Sequence, residues 1–237
     1  MAQVIGIISK EHVADSVAGS SGLIGGKLLP LLLAAPEYAR VQALSRRALA
    51  LEHPRLANRV LRFDAPLGAQ LGGLVCHDAF CCLGTTLRAA GSAAAFRAVD
   101  HDLVVEFARA ALTAGAQRLV LVSAVGADPG SKNFYLRVKG ETEQALQALR
   151  ARSLDILQPS LLLGARRERR TLELAGQVVM RLINPLLPGS WARFRAIEAA
   201  VVAAAMRGAA RSGRRGVYRY TYGEMQRLAT VGEPASR

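Results

Sequence analysis

A chain of 237 residues, 51% hydrophobic and 21% charged, is long enough to bury a substantial core, and one domain is the default at this length. Its formal charge of +13 comes from 31 basic against 18 acidic residues. The excess is almost all arginine, scattered along the chain and poorly interleaved with aromatics (6 Phe, 5 Tyr, 1 Trp), which argues against nucleic-acid binding while leaving room for steering a phosphorylated ligand.

No apolar run approaches the ~18 residues of a spanning helix, because Lys27, Pro30 and Pro36 interrupt the longest candidate. The N-terminus, MAQVIGIISKEHVADS, has no basic leader and no small-residue cleavage site after a long apolar stretch, so a cytoplasmic protein is expected. Cys76, Cys81 and Cys82 are too closely spaced for a zinc site and odd in number for a disulfide framework; reduced, buried thiols are expected.

Short apolar runs alternate with longer helical patterns, the signature of βα units around a parallel sheet covered on both faces. Strands are predicted over 13–18, 41–44, 60–63, 79–83, 118–123 and 155–159, and helices over 22–34, 92–113 and 134–151, with a short connection near 66–71. In the helix over 92–113, apolar residues recur at 96, 99, 103, 104, 107, 108 and 111, and Gly115 stands where a C-terminal cap belongs. Beyond Gly164 the pattern predicts two helices, a short strand near 217–222 and a last small helix. No Gly/Ser/Pro linker precedes this part, so a single unit over 1–237 is expected, with a core over about 13–163 and an elaboration over about 164–237. The fold class is thus α/β, a doubly wound Rossmann sheet with a small C-terminal helical elaboration.

The stretch SVAGSSGLIGGKLL places Gly19, Gly22 and Gly25 three residues apart between a predicted strand and a predicted helix. There, the first glycine permits a tight turn, the second lets the backbone approach a pyrophosphate, and the third lets helix and strand pack closely. Ser20, Ser21, Leu23 and Ile24 complete the turn. A flexible loop before a buried helix is the plain alternative, and Asp15 and Ser16 are unusually polar for a buried parallel strand. After the second strand come Ser45, Arg46 and Arg47, where an NAD site usually carries an acid; guanidinium groups suit a 2′-phosphate, which favours NADP over NAD. Phe63 and Asp64 follow the third predicted strand, positioned to flank an adenine, and Leu83, Gly84, Thr85 and Thr86 follow the fourth, small enough for a nicotinamide ribose to pass.

The segment VLVSAVGADPGSKNFYLRVKGETE carries Ser123 at a strand end, Tyr135 twelve positions on and Lys139 four after that. One helical turn puts Tyr135 and Lys139 on the same face. An ammonium beside a phenol favours the phenolate, and a serine hydroxyl can hold a substrate oxygen, a combination suited to proton exchange with a carbonyl/alcohol oxygen during hydride transfer.

With these residues the chain resembles the short-chain dehydrogenase/reductase superfamily. More narrowly it is similar to its atypical Tat-interactive-protein-like oxidoreductases, whose bacterial members are often labelled nucleoside-diphosphate-sugar epimerase-like. The stretches AGSSGLIGGKLL, CCLGTTLRAAGS, VDHDLVVEFARAALTAGAQRLVLVSAVGAD, FYLRVKGETEQAL and LQPSLLLGARRE carry the likeness over residues 17 to about 168. The resemblance implies an extended Rossmann domain, an NADP-type cofactor on the glycine turn, Ser123, Tyr135 and Lys139 as the catalytic trio, and Pro159, Ser160 and Leu162 near the nicotinamide end. Main-line members use an asparagine on the long helix as a proton relay; the corresponding stretch here is AVDHDLVV, in which His101 is a candidate substitute, though a surface or core role is the commoner fate of a lone histidine.

Arg166, Arg167, Arg169 and Arg170 could hold a substrate phosphate or simply face water, and the apolar stretch LAGQVVMRLINPLLPGSW could be a lid or a homodimer face. Three readings follow: an NADP-dependent oxidoreductase acting on a carbonyl or alcohol, a nucleotide-sugar epimerase or dehydratase, and an NADPH-binding regulator without turnover. The intact trio favours the first.

Overall fold

The computed structural model describes residues 7–8, 15–18, 21–62, 65, 67–70, 76–163 and 189–231. Seven parallel strands form its centre, in the order β4 (Leu56–Val60), β3 (Val41–Ser45), β2 (Asp15–Ala18), β5 (Asp78–Cys81), β6 (Arg118–Val122), β7 (Ser153–Leu157), β10 (Gly216–Tyr220). The chain winds outward from β2 in one direction through β3 and β4, then returns to the other side through β5, β6 and β7. This reversal between β2 and β5 is the topological switch point at which open α/β sheets form their ligand crevice.

Two short features were not foreseen. A two-residue strand, β1 (Ile7–Ile8), runs antiparallel to β3 and β5, and β8 (Leu162–Leu163) pairs in parallel with β9 (Ile197–Glu198) as a separate small sheet. The third strand of the sequence reading also moves: residues 56–60, not 60–63, pair with β3. Among the described residues β4 has only β3 as a neighbour, so it tolerates Asn58 and Arg59, and its half-exposed sequence LANRV lacks the continuous apolar run of a central strand. Phe63 and Asp64 lie outside the described residues, as do Gly19 and Ser20.

The helices are α1 (Gly25–Ala34), α2 (Leu67–Gln70), α3 (Leu87–Ala90), α4 (Ala93–Arg97), α5 (Leu103–Thr113), α6 (Phe134–Ala148), α7 (Ala199–Arg211) and α8 (Tyr222–Val231). The single helix expected over 92–113 is therefore α4 and α5 joined by a π turn, Ala98–Asp102. Its end is as anticipated, with Gly115 at φ 97°, a conformation open to glycine.

The buried core takes Leu28, Leu29 and Leu32 from α1, Phe80 from β5, Phe107 from α5 and Val120 from β6. Arg55 secures one corner, donating to the carbonyls of Leu33, Ala35 (2.8 Å) and Tyr38 (2.9 Å) at the C-terminal end of α1. After a 3-10 turn, Gly189–Phe194, the C-terminal part rejoins the main sheet: β10 pairs along the whole of β7, α7 packs on α1, and Arg207 reaches Glu37 at 3.0 Å. The first of the two expected C-terminal helices and the Arg166–Arg170 cluster fall within 164–188, outside the described residues. No helix among the described residues is long and apolar enough to cross a membrane.

Candidate active site

α6 is set in place by its own N-terminus. Asn133 caps it, its side chain accepting the Leu136 amide at 3.2 Å, and the preceding loop is pinned by Val125 N–H to the Pro159 carbonyl (3.0 Å) and Asp128 N–H to the Leu136 carbonyl (3.1 Å). The loop and the helix touch at Gly140, where a β-carbon would fall 2.2 Å from the Asp128 carbonyl carbon. Only glycine permits that approach.

Tyr135, Lys139 and Glu143 then share one face of α6 at successive turns. The ring of half-buried Tyr135 leans on fully buried Phe96, centroids 5.5 Å apart and tilted by 46°. The Lys139 ammonium, 5% exposed, lies 2.8 Å from one oxygen of Asp100, which is wholly buried. The other oxygen of Asp100 accepts the Thr85 amide at 2.8 Å. Burial alone would push Lys139 down, but Asp100 and the neighbouring Tyr135 outweigh it and hold the amine above its ordinary value. The lysine is a fixed positive charge at any physiological pH.

Glu143 is the hub of a second buried cluster. It accepts the Ser123 hydroxyl at 2.6 Å and the Gln158 amide at 2.8 Å on one oxygen, and the Arg219 guanidinium at 2.9 Å on the other. Ser123 thereby spends its only proton on Glu143 and faces any other group as an acceptor. Glu143 stands two turns past Tyr135, about 12 Å along the axis, and no hydrogen bond joins Ser123 to Tyr135 among the described residues.

Most of the described residues expected to hold a dinucleotide follow the carboxyl ends of the parallel strands. Ser21 is exposed, Gly22 and Leu23 half-buried and Ile24 buried ahead of α1, whose N-terminus carries no side-chain cap and no acid in its first turn. Ser45 is buried and donates to the Arg47 carbonyl at 2.5 Å, while Arg46 and Arg47 are exposed. Leu83 is buried; Gly84 stands over the ion pair, its β-carbon position 3.5 Å from Asp100 Oδ1 and 3.8 Å from Lys139 Nζ. Thr86 caps α3 through the Ala89 amide at 3.1 Å. Pro159 is buried after β7, Ser160 donates to the Arg195 carbonyl, and Leu162 lies in β8.

Cys76 and Cys81 are buried, but Cys82 is only half-buried, its thiol 3.4 Å from the Met206 sulfur, and no disulfide joins these thiols among the described residues. Burial pushes the Cys81 thiol up to about 12, which makes it unreactive.

Two buried carboxylates of the candidate site escaped the sequence reading. Asp100, not His101, faces the site; His101 turns to its neighbour Asp102 at 2.7 Å. The available signal was an acid four residues after Phe96, on the apolar face of the long helix. Glu143, one turn beyond Lys139 on the same face, was legible from the same spacing.

No family model matches the chain. It is 35% identical over 192 residues to the protein FMP52, mitochondrial, of Coccidioides immitis, covering 74% of this chain and 78% of that one. To the protein HTATIP2 of Rattus norvegicus it is 36% identical over 194 residues, covering 80% and 78%. Among solved structures it is similar to MoeE5 in complex with UDP-glucose and NAD (TM-score 0.63, 17% identity, 86% of this chain and 75% of that one). It is also similar to a UDP-glucose 4-epimerase from Thermotoga maritima in complex with UDP-glucose (TM-score 0.64, 11% identity, 90% and 79%). These structures share the Rossmann fold. The FMP52 relatives are named mitochondrial, which overturns the expectation of a cytoplasmic protein. The identity to FMP52 and HTATIP2 over more than three-quarters of their lengths establishes that the chain belongs to the atypical short-chain dehydrogenases/reductases, in the Tat-interactive-protein-like group.

Proposed function

We propose that this protein is an oxidoreductase that interconverts a small carbonyl and its alcohol with a nicotinamide dinucleotide, NADP in preference to NAD. The observation that carries the reading is Lys139, a buried ammonium paired with Asp100 and one helical turn from the Tyr135 phenol on the same face of α6.

The residues at the crevice fit the dinucleotide. The uncapped N-terminus of α1 suits a pyrophosphate, exposed Arg46 and Arg47 suit a 2′-phosphate, and half-buried Gly84, Thr85 and Thr86 leave room beside the ion pair. When bound, the dinucleotide supplies or receives the hydride. The chain's own part is proton management: Tyr135 Oη gives a proton to, or takes one from, the substrate oxygen, and Lys139 supplies a fixed positive charge one helical turn away. Ser123 is the third member; with its proton on Glu143, its lone pairs are left to receive a substrate hydroxyl.

The test is reduction of a carbonyl panel by NADPH with the wild type and Tyr135→Phe. Loss of at least about a hundredfold in kcat is expected for the variant; unchanged reduction would refute the assignment. Titration with NADPH and NADH checks the nucleotide preference, Arg46→Ala being expected to weaken NADPH selectively. Tight NADPH binding with no turnover across the panel would favour the regulator reading.

A further inference from the structure

The geometry points to Asp100 as the positioning residue of the site: its buried carboxylate clamps the Lys139 ammonium to the backbone of the loop after β5. Four observations support this. The carboxylate is fully buried, one oxygen in ion-pair contact with Lys139 Nζ at 2.8 Å and the other accepting the Thr85 amide at 2.8 Å. The π turn that carries it is anchored to α6, since the Thr142 hydroxyl donates to the Asp100 carbonyl at 2.9 Å. Gly84 passes directly over the pair, the position of a β-carbon there lying 3.5 Å from Asp100 Oδ1 and 3.8 Å from Lys139 Nζ. A buried ammonium without a counter-charge would shed its proton, and Asp100 is the carboxylate that acts on it.

The three segments concerned, the loop after β5, the π turn and α6, are far apart in sequence and meet at this one side chain. Asp100 acts through Lys139 rather than on a substrate. A carboxylate accepts but does not donate, so it cannot relay protons as a neutral amide can; it fixes where the lysine charge sits and keeps it in register with Thr85. This inference deepens the proposed reading of Lys139, yet its test requires no substrate.

The groups acting on Lys139 are Asp100 from the π turn, Tyr135 from its own helix and Cys81 from β5, the last a neutral thiol. Competitive labelling with trace acetic anhydride, followed by peptide mapping, reads the free-amine fraction of each lysine against pH, with exposed Lys132 as the internal reference. In the wild type, the midpoint of Lys139 labelling should lie above the ordinary lysine value of ~10.4. Asp100→Asn keeps the shape and removes the charge, so Lys139 labelling at pH 9 should rise about ten- to a hundredfold relative to Lys132, the effect of a drop of one to two pH units in the buried amine.

An unchanged ratio in a folded Asp100→Asn protein overturns the proposal. So does a wild-type Lys139 midpoint at or below the ordinary lysine value of ~10.4, a measurement that stands even if the variant does not fold. Fluorescence titration of the same variant with NADPH should show weakened binding. If labelling responds as expected while the carbonyl panel stays inert with wild type, the clamp stands and the oxidoreductase reading falls.

Discussion

Gly140→Ala sets two effects of opposite sign against each other. On an isolated helix, alanine in place of glycine stabilises by about 1 kcal/mol. Here the new methyl carbon would lie 2.2 Å from both the Asp128 carbonyl carbon and the Pro129 nitrogen. These are backbone atoms, so no rotamer change relieves the clash, and the loop or the helix must retreat by about 1 Å. Overpacking of this kind costs about 3 kcal/mol. The net expectation is a loss of about 2 kcal/mol, or about 4–8 °C in Tm for a chain of this size. Thermal denaturation followed by circular dichroism measures it. A Tm equal to or above that of the wild type would mean that the loop is not held against α6, and the account of how Tyr135 and Lys139 are placed would fail with it.

Arg55→Ala removes the guanidinium bonded to the carbonyls of Leu33, Ala35 and Tyr38, and should cost about 2 kcal/mol by urea denaturation; a midpoint shift too small for 0.5 kcal/mol would refute the capping role. Burial raises Asp155 above the ordinary carboxylate range, only partly countered by the Tyr220 hydroxyl (2.7 Å), the Ser153 hydroxyl (2.9 Å) and Arg118. A folded value raised in this way means that stability is present below the unfolded carboxylate range and lost as pH rises through the folded value. Asp155→Asn should therefore gain in Tm relative to wild type on going from pH 4 to pH 7, and a difference that is flat or falls with pH would contradict this. Glu37 moves the other way: burial opposes its charge, but hydrogen bonding and the Arg207 and Arg211 guanidinium groups win and hold it below its ordinary value. Glu37→Gln should accordingly destabilise at pH 7 and lose that effect as pH falls below the ordinary carboxylate range, read from the same melts.

Much of the fold was legible because it rests on local rules. The β-strand over 118–122 and the amphipathic helix from Phe134 differ from their sequence-based bounds by three residues at most, since apolar periodicity and an Asn cap specify them without outside help. The break in the long helix was not legible. The extra residue of the π turn is stabilised by Thr142, 42 positions away, and a helical period fitted through 92–113 runs straight over it. For the same reason attention fell on His101, whose chemistry is conspicuous, while Asp100, the side chain turned inward, carried no local mark of its burial. Ser123 and Lys139 illustrate a related limit: spacing put them in one segment, but only tertiary packing could assign each its own carboxylate, Glu143 to the serine and Asp100 to the lysine.

Glu143 draws its three donors from the ends of β6 and β7 and from within β10. The last strand is thus wired into the very helix that bears the proton-handling groups, and cannot be treated as a peripheral appendage. Trimming the chain ahead of residue 216, as one might to obtain a minimal nucleotide-binding core, would strip an acid in a dry setting of its cation and unsettle the machinery such a truncation was meant to isolate.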